Sequence, residues 1–109
     1  MTEHGYDLLA EAPWSSGDWK PPASAMRVPT MLSEEEGCLL YWLGANWVTG
    51  AGAVCDLGCF AGGSTARLAA GLADSSTEAP VHAYDFFTIS PQHKEKFLYS
   101  NGVRRFWGR

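Results

Sequence analysis

The chain has 109 residues, the size of one domain, with 46 % hydrophobic and 18 % charged residues, a balance that folds and excludes a largely disordered chain. Its net charge of −4 argues against nucleic acid as the main partner, since phosphate binding relies on a clustered basic face. No apolar stretch approaches the ~20 residues that cross a bilayer and no secretory signal opens the chain. We therefore expect no membrane partner, a cytoplasmic setting, and reduced thiols at Cys38, Cys55 and Cys59.

Residues 1–32 read as a flexible N-terminal extension, and residues 33–109 as the folded domain. The extension holds Pro13, Pro21, Pro22 and Pro29, a Ser15-Ser16-Gly17 turn, and no sustained period. Trp14 and Trp19 fit either a loose arm whose indoles rest on the domain or a segment that closes over a ligand.

Ser33 opens a helix. Glu36 three positions later completes a capping-box pattern, and Glu34 and Glu35 complement the positive end of the helix dipole. Leu39, Leu40, Leu43 and Trp47 predict the apolar face, with Tyr41 and Trp42 as core or rim. The run Thr49-Gly50-Ala51-Gly52 ends the helix. Ala53 to Leu57 is short, apolar and bounded by glycines, as in a buried parallel strand.

Gly58 to Gly63 forms a loop, and Ser64-Thr65 starts a second helix over Ala66–Ala73 with Leu68, Ala69 and Leu72 at helical spacing. A polar link over 74–80 leads to a second strand, Val81 to Asp85, in which His82 is expected to face a helix. Strand, helix and strand in this span make a βαβ unit. Ser90-Pro91 predicts one more helix, to about Tyr99, stopped by Asn101-Gly102. Val103 to Arg109 reads as a strand stub or tail.

The loop carries the chemistry. A strand that turns abruptly into a helix exposes the first N–H groups of that helix, and glycines let a ligand approach the backbone. Gly58, Gly62 and Gly63 answer that need. A dinucleotide fingerprint requires glycine at the first, third and sixth positions. Here the third is Phe60, and Asp56 sets a negative charge near where a pyrophosphate would lie. A P-loop is excluded, because no Gly-Lys-Ser/Thr follows. A ligand bearing positive charge suits the site better. Asp56 is placed for an ammonium, the helix start at Ser64 for a carboxylate, and Asp85 for two ribose hydroxyls. Phe86 and Phe87 add apolar surface.

Val54-Cys55-Asp56-Leu57-Gly58-Cys59-Phe60-Ala61-Gly62-Gly63-Ser64-Thr65, followed by Val81-His82-Ala83-Tyr84-Asp85, resembles motif I and the following acid of class I S-adenosylmethionine-dependent methyltransferases. The Gly-Gly-Ser-Thr ending is similar to the branch holding macrocin-type sugar O-methyltransferases. The likeness spans about residues 33–87. It implies an α/β, Rossmann-like fold: a doubly wound parallel sheet, partial here, with S-adenosylmethionine over the carboxyl ends of its first strands. By resemblance the cofactor-binding residues are Asp56, Gly58, Cys59, Phe60, Gly62, Gly63, Ser64, Asp85 and Phe86. The implied function is O-methyl transfer to a small molecule or sugar.

In that family the acceptor site and catalytic groups come from later strands, so no catalytic residue is assigned and no metal ligand is expected. A sheet this small is expected to be completed by a homo-oligomer or by a missing C-terminal half. Two other readings stay open: a non-catalytic binding or assembly module that retains the fold, and a nicotinamide-binding oxidoreductase half-domain.

Overall fold

The computed structural model describes residues 3–85. Four helices and two strands follow in chain order: α1 (Glu3–Ala10), a 3-10 turn (Pro13–Ser16), α2 (Ala23–Met26), α3 (Glu34–Asn46), β1 (Val54–Leu57), α4 (Gly63–Ser75) and β2 (Val81–Tyr84). The strands pair in parallel, Val54 opposite Val81 and Leu57 opposite Tyr84. The protein is thus a mixed α/β chain whose described sheet has two strands. The helix predicted for 90–99 and the segment 103–109 lie outside the described residues.

Helix α3 starts where its capping box directs. The Glu36 amide donates to Ser33 Oγ at 3.1 Å, and the Ser33 amide donates to Glu36 Oε1 at 3.0 Å. This reciprocal pair holds the Glu36 carboxyl below its ordinary value.

The buried face of α3 differs from the predicted one. Cys38 and Trp42 are buried together with Gly37 and Gly44, while Leu39, Leu40, Leu43 and Trp47 are only half-buried. The reason is close helix packing. A Cβ on Gly71 would lie 2.8 Å from the Ala45 nitrogen and 3.0 Å from the Gly44 carbonyl carbon. With no side chains between them, the backbones of α3 and α4 meet at Gly44 and Gly71, and this crossing selects the face turned inward.

Around the crossing lie Leu68 and Leu72 of α4 and the nearly inaccessible Trp42, 3 % exposed. Trp14, from the 3-10 turn, packs on Trp42 with ring centroids 5.5 Å apart, and Trp19 approaches Tyr41 at 6.2 Å. Tyr41 donates its hydroxyl to Asp74 on α4. The segment before Ser33 therefore contributes aromatic cover to α3 over these residues.

The strands are parallel as expected, yet they are not buried on both faces. Val54 and Asp56 are half-buried, whereas Cys55 and Leu57 face outward, Leu57 being 76 % exposed. On β2, His82 and Tyr84 are exposed and their rings stack at 6.5 Å. Among the described residues no helix covers His82. Period-two alternation puts 55, 57, 82 and 84 on the face away from α4. Continuous apolar sequence had suggested a strand covered on both sides; among the described residues one side is covered.

Candidate functional site

The loop between β1 and α4 is folded onto the end of β2. The amides of Gly58 and Cys59 donate to the Tyr84 carbonyl at 2.6 and 3.3 Å. The next amide, Phe60, donates to Asp85 Oδ2 at 2.9 Å. Three consecutive N–H groups thus serve the neighbouring strand. A phosphate cradle would need those amides turned toward the ligand, so this geometry agrees with the bulk of Phe60 in disfavouring a pyrophosphate.

Phe60 itself has φ 55, between Gly58 at φ 79 and Gly62 at φ 93. A bulky residue in the left-handed region is strained. The tight turn closed by the Gly62 amide on the Cys59 carbonyl, 2.9 Å, holds it there. A Cβ on Gly58 would meet nothing within 4 Å. The backbone at the end of β1 is therefore open to a ligand, and positive φ is what calls for glycine there.

Asp56 points toward α4. Its Oδ2 accepts from Ser64 Oγ at 2.6 Å and from Thr65 Oγ1 at 2.7 Å. The Ser64 hydroxyl is thereby committed to Asp56 and not to a ligand carboxylate. What remains at this helix start is the backbone: Gly62 supplies no side-chain cap, so the first-turn amides keep their positive end.

Gly63 packs closely against the chain itself. A Cβ there would lie 2.5 Å from the Pro29 carbonyl oxygen and 2.9 Å from Thr30 Oγ1. The close approach it permits is to the chain's own segment 28–30, which crosses the start of α4. Arg67, one turn along, holds that segment in place. Its guanidinium donates to the carbonyls of Gly63 at 2.8 Å, Met26 at 3.3 Å and Val28 at 3.4 Å. Burial lowers its pKa from the usual arginine value.

Cys59 is 3 % exposed. Burial pushes its thiol pKa up, and the charges of Asp85 and Asp56 add to that effect. The thiol stays protonated at neutral pH and is a poor nucleophile. No group of three His, Cys, Asp or Glu side chains that could hold a metal ion occurs among the described residues. Phe86 lies outside them.

Asp56, Gly58, Cys59, Phe60, Gly62, Gly63, Ser64 and Asp85 are therefore brought together at one end of the sheet. Thr65, Arg67 and the segment Val28–Thr30 belong to the same assembly, although sequence reasoning passed over them. Arg67 carried a signal: it is the one charged residue in the first eleven positions of α4, amid alanine, leucine and glycine. Protein-family models, curated proteins and solved structures yield no match to this chain.

Proposed function

We propose that the chain binds S-adenosylmethionine at the carboxyl ends of β1 and β2, as the cofactor portion of a Rossmann-like O-methyltransferase acting on a small molecule or sugar. One observation carries this reading. The Phe60 amide rests on Asp85, so the glycine loop and the acid of the second strand, 25 residues apart, form one unit. The residues fit a small cationic nucleoside better than a diphosphate. Two carboxylates flank the loop, the backbone at Gly58 is open, and the loop amides face the protein.

The cofactor, when bound, supplies an activated methyl group; the residues of this chain hold and orient it. Asp56 faces the ammonium, directly or through water. The first-turn amides of α4 favour the carboxylate. Asp85 accepts from the ribose hydroxyls while it sets the loop. A second copy of the chain or a C-terminal half supplies further strands.

Calorimetry with S-adenosylmethionine and its demethylated product tests the proposal. Micromolar binding of both, lost in Asp85→Ala, is the expected result. Binding no tighter than millimolar by a folded sample would remove the assignment. The exposed outer face of the sheet favours a second reading, a non-catalytic assembly module. Self-association without cofactor binding would select it.

A further inference from the structure

Among the described residues Arg67 is a buried cation with no carboxylate partner. Its side chain is 7 % exposed, yet it bonds only to the neutral carbonyls of Met26, Val28 and Gly63. The one titratable side chain near enough to act on it is the Cys38 thiol, which supplies a charge only when ionised. Buried charges are ordinarily paired, because carbonyl dipoles offset only part of the cost of leaving water. A guanidinium carries five N–H donors, and the Nε–H of Arg67 takes part in none of these bonds.

Arg67 lines a cavity of about 150 Å³ together with Lys20, Leu32, Glu34, Gly37 and Cys38, among others. A Cβ at Gly37 would lie 2.9 Å from Arg67 Nε, so glycine at this position leaves the unbonded donor uncovered. Lys20 and Glu34 are exposed, and the lining carries two positive charges against one negative. At about 30 Å³ per water the space holds roughly five waters. It is well below the roughly 300 Å³ at which pockets for larger ligands begin.

We propose that this cavity binds a small oxyanion, a phosphate or a short carboxylate, whose charge Arg67 and Lys20 match. Phosphate and carboxylate oxygens accept short, charge-assisted hydrogen bonds from a guanidinium, and Nε offers a donor with nothing else to bond. The anion would sit among Lys20, the first turns of α3 and Arg67 of α4, so it would tie the segment before Ser33 to both helices. None of Asp56, Gly58, Phe60 and Asp85 lines the cavity. The site therefore stands whether or not the chain binds S-adenosylmethionine.

NMR titration of the nitrogen-15-labelled full-length chain tests it, read at the Nε–H of Arg67, which Arg67→Lys identifies by its disappearance. Sodium phosphate and sodium acetate are added separately, with sodium chloride holding the ionic strength fixed. The expected result is a saturable shift of the Arg67 Nε–H and the Gly37 amide with at least one oxyanion. Lys20→Gln, at an exposed position, should weaken binding roughly two- to fivefold. Gly37→Ala keeps both cations and covers Nε, and should weaken binding about tenfold or more.

A shift that grows without saturation in the unaltered chain, or one that chloride reproduces, would overturn the proposal in favour of simple screening. Binding unchanged in those variants that fold, checked by circular dichroism, would place the anion elsewhere. No shift with either oxyanion, while the Nε–H moves on alkaline titration and is held still in Cys38→Ser, would make the thiolate the counter-charge. Each of these outcomes rejects the proposal.

Discussion

Asp85 accepts the amide of Phe60 across 2.9 Å, so the carboxylate that ends the second strand fixes the turn that follows the first. On the proposed function, structure and ligand binding depend on one side chain in different ways. Asp85→Ala removes the acceptor of a half-buried amide and is expected to cost about 1–3 kcal/mol. Asp85→Asn keeps an acceptor oxygen and costs less than about 1 kcal/mol on the same scale. Both should weaken S-adenosylmethionine binding at the proposed site, because neither side chain carries the charge that draws two hydroxyl donors. Urea unfolding beside calorimetry separates the two effects.

The Gly44–Gly71 contact gives a prediction opposite in sign to helix propensity. Alanine favours a helix over glycine by up to about 1 kcal/mol. At Gly71 the added methyl would drive into the backbone of α3, and overpacking of this kind outweighs the propensity gain. Gly71→Ala should destabilise by about 2 kcal/mol net. Gly52→Ala, whose Cβ meets nothing within 4 Å, should be neutral within about 0.5 kcal/mol. Equal stability of the two variants would disprove the close crossing.

Arg67 predicts a link to proteolysis. Arg67→Met leaves the Gly63 carbonyl and its neighbours without their donor, an expected loss of about 3 kcal/mol. The segment 26–30 is then released, and tryptic cutting after the exposed Arg27 should accelerate relative to other sites. Arg67→Lys offers a single point donor in place of a planar fork and should protect only partly.

Tyr41 and Asp74 tie α3 to α4 with a pH dependence of definite sign. The bond to Asp74, with burial and the nearby negative charge adding to it, raises the Tyr41 pKa above its usual 10.0. The folded state therefore keeps the phenol proton longer than the unfolded state does. The contribution is fully present below pH 10 and is lost as pH rises through the higher folded value. Tyr41→Phe should cost about 0.5–1.5 kcal/mol at neutral pH and abolish this alkaline component of unfolding.

Phe60→Gly relieves the left-handed strain and also restores the third glycine of a dinucleotide pattern. We expect neither the unaltered chain nor Phe60→Gly to bind NADH by fluorescence, because the amides of 58–60 remain turned to β2. NADH binding gained in the variant would revive the oxidoreductase reading.

Local signals were legible in the sequence. Ser33 with Glu36 marked the start of α3 to the residue, glycines bracketed β1 and marked the start of α4, and alternation after a polar link marked β2. The grouping of Asp56, the loop and Asp85 at one end of the sheet followed from strand direction alone. What escaped was decided by tertiary contacts. The inward face of α3 is chosen by Gly44 meeting Gly71, and glycines add nothing to an apolar period. The exposure of Leu57 and Tyr84 depends on what lies over the sheet, which a short apolar run does not encode. Segment 28–30 reaches α4 through carbonyl oxygens that every residue possesses, so only the lone Arg67 hinted at it.

The contact of Gly63 with Pro29 and Thr30 changes how substitutions in the glycine loop are to be interpreted. A methyl at Gly63 would dislodge the chain's own strap before it touched any ligand. A Gly63→Ala variant would report a displaced N-terminal segment, whereas a side chain at Gly58, which faces open space but has φ 79, would report strain in the turn after β1. Two glycines of one motif thus guard different things: one a close contact with a distant segment of the chain, the other the conformation of a turn.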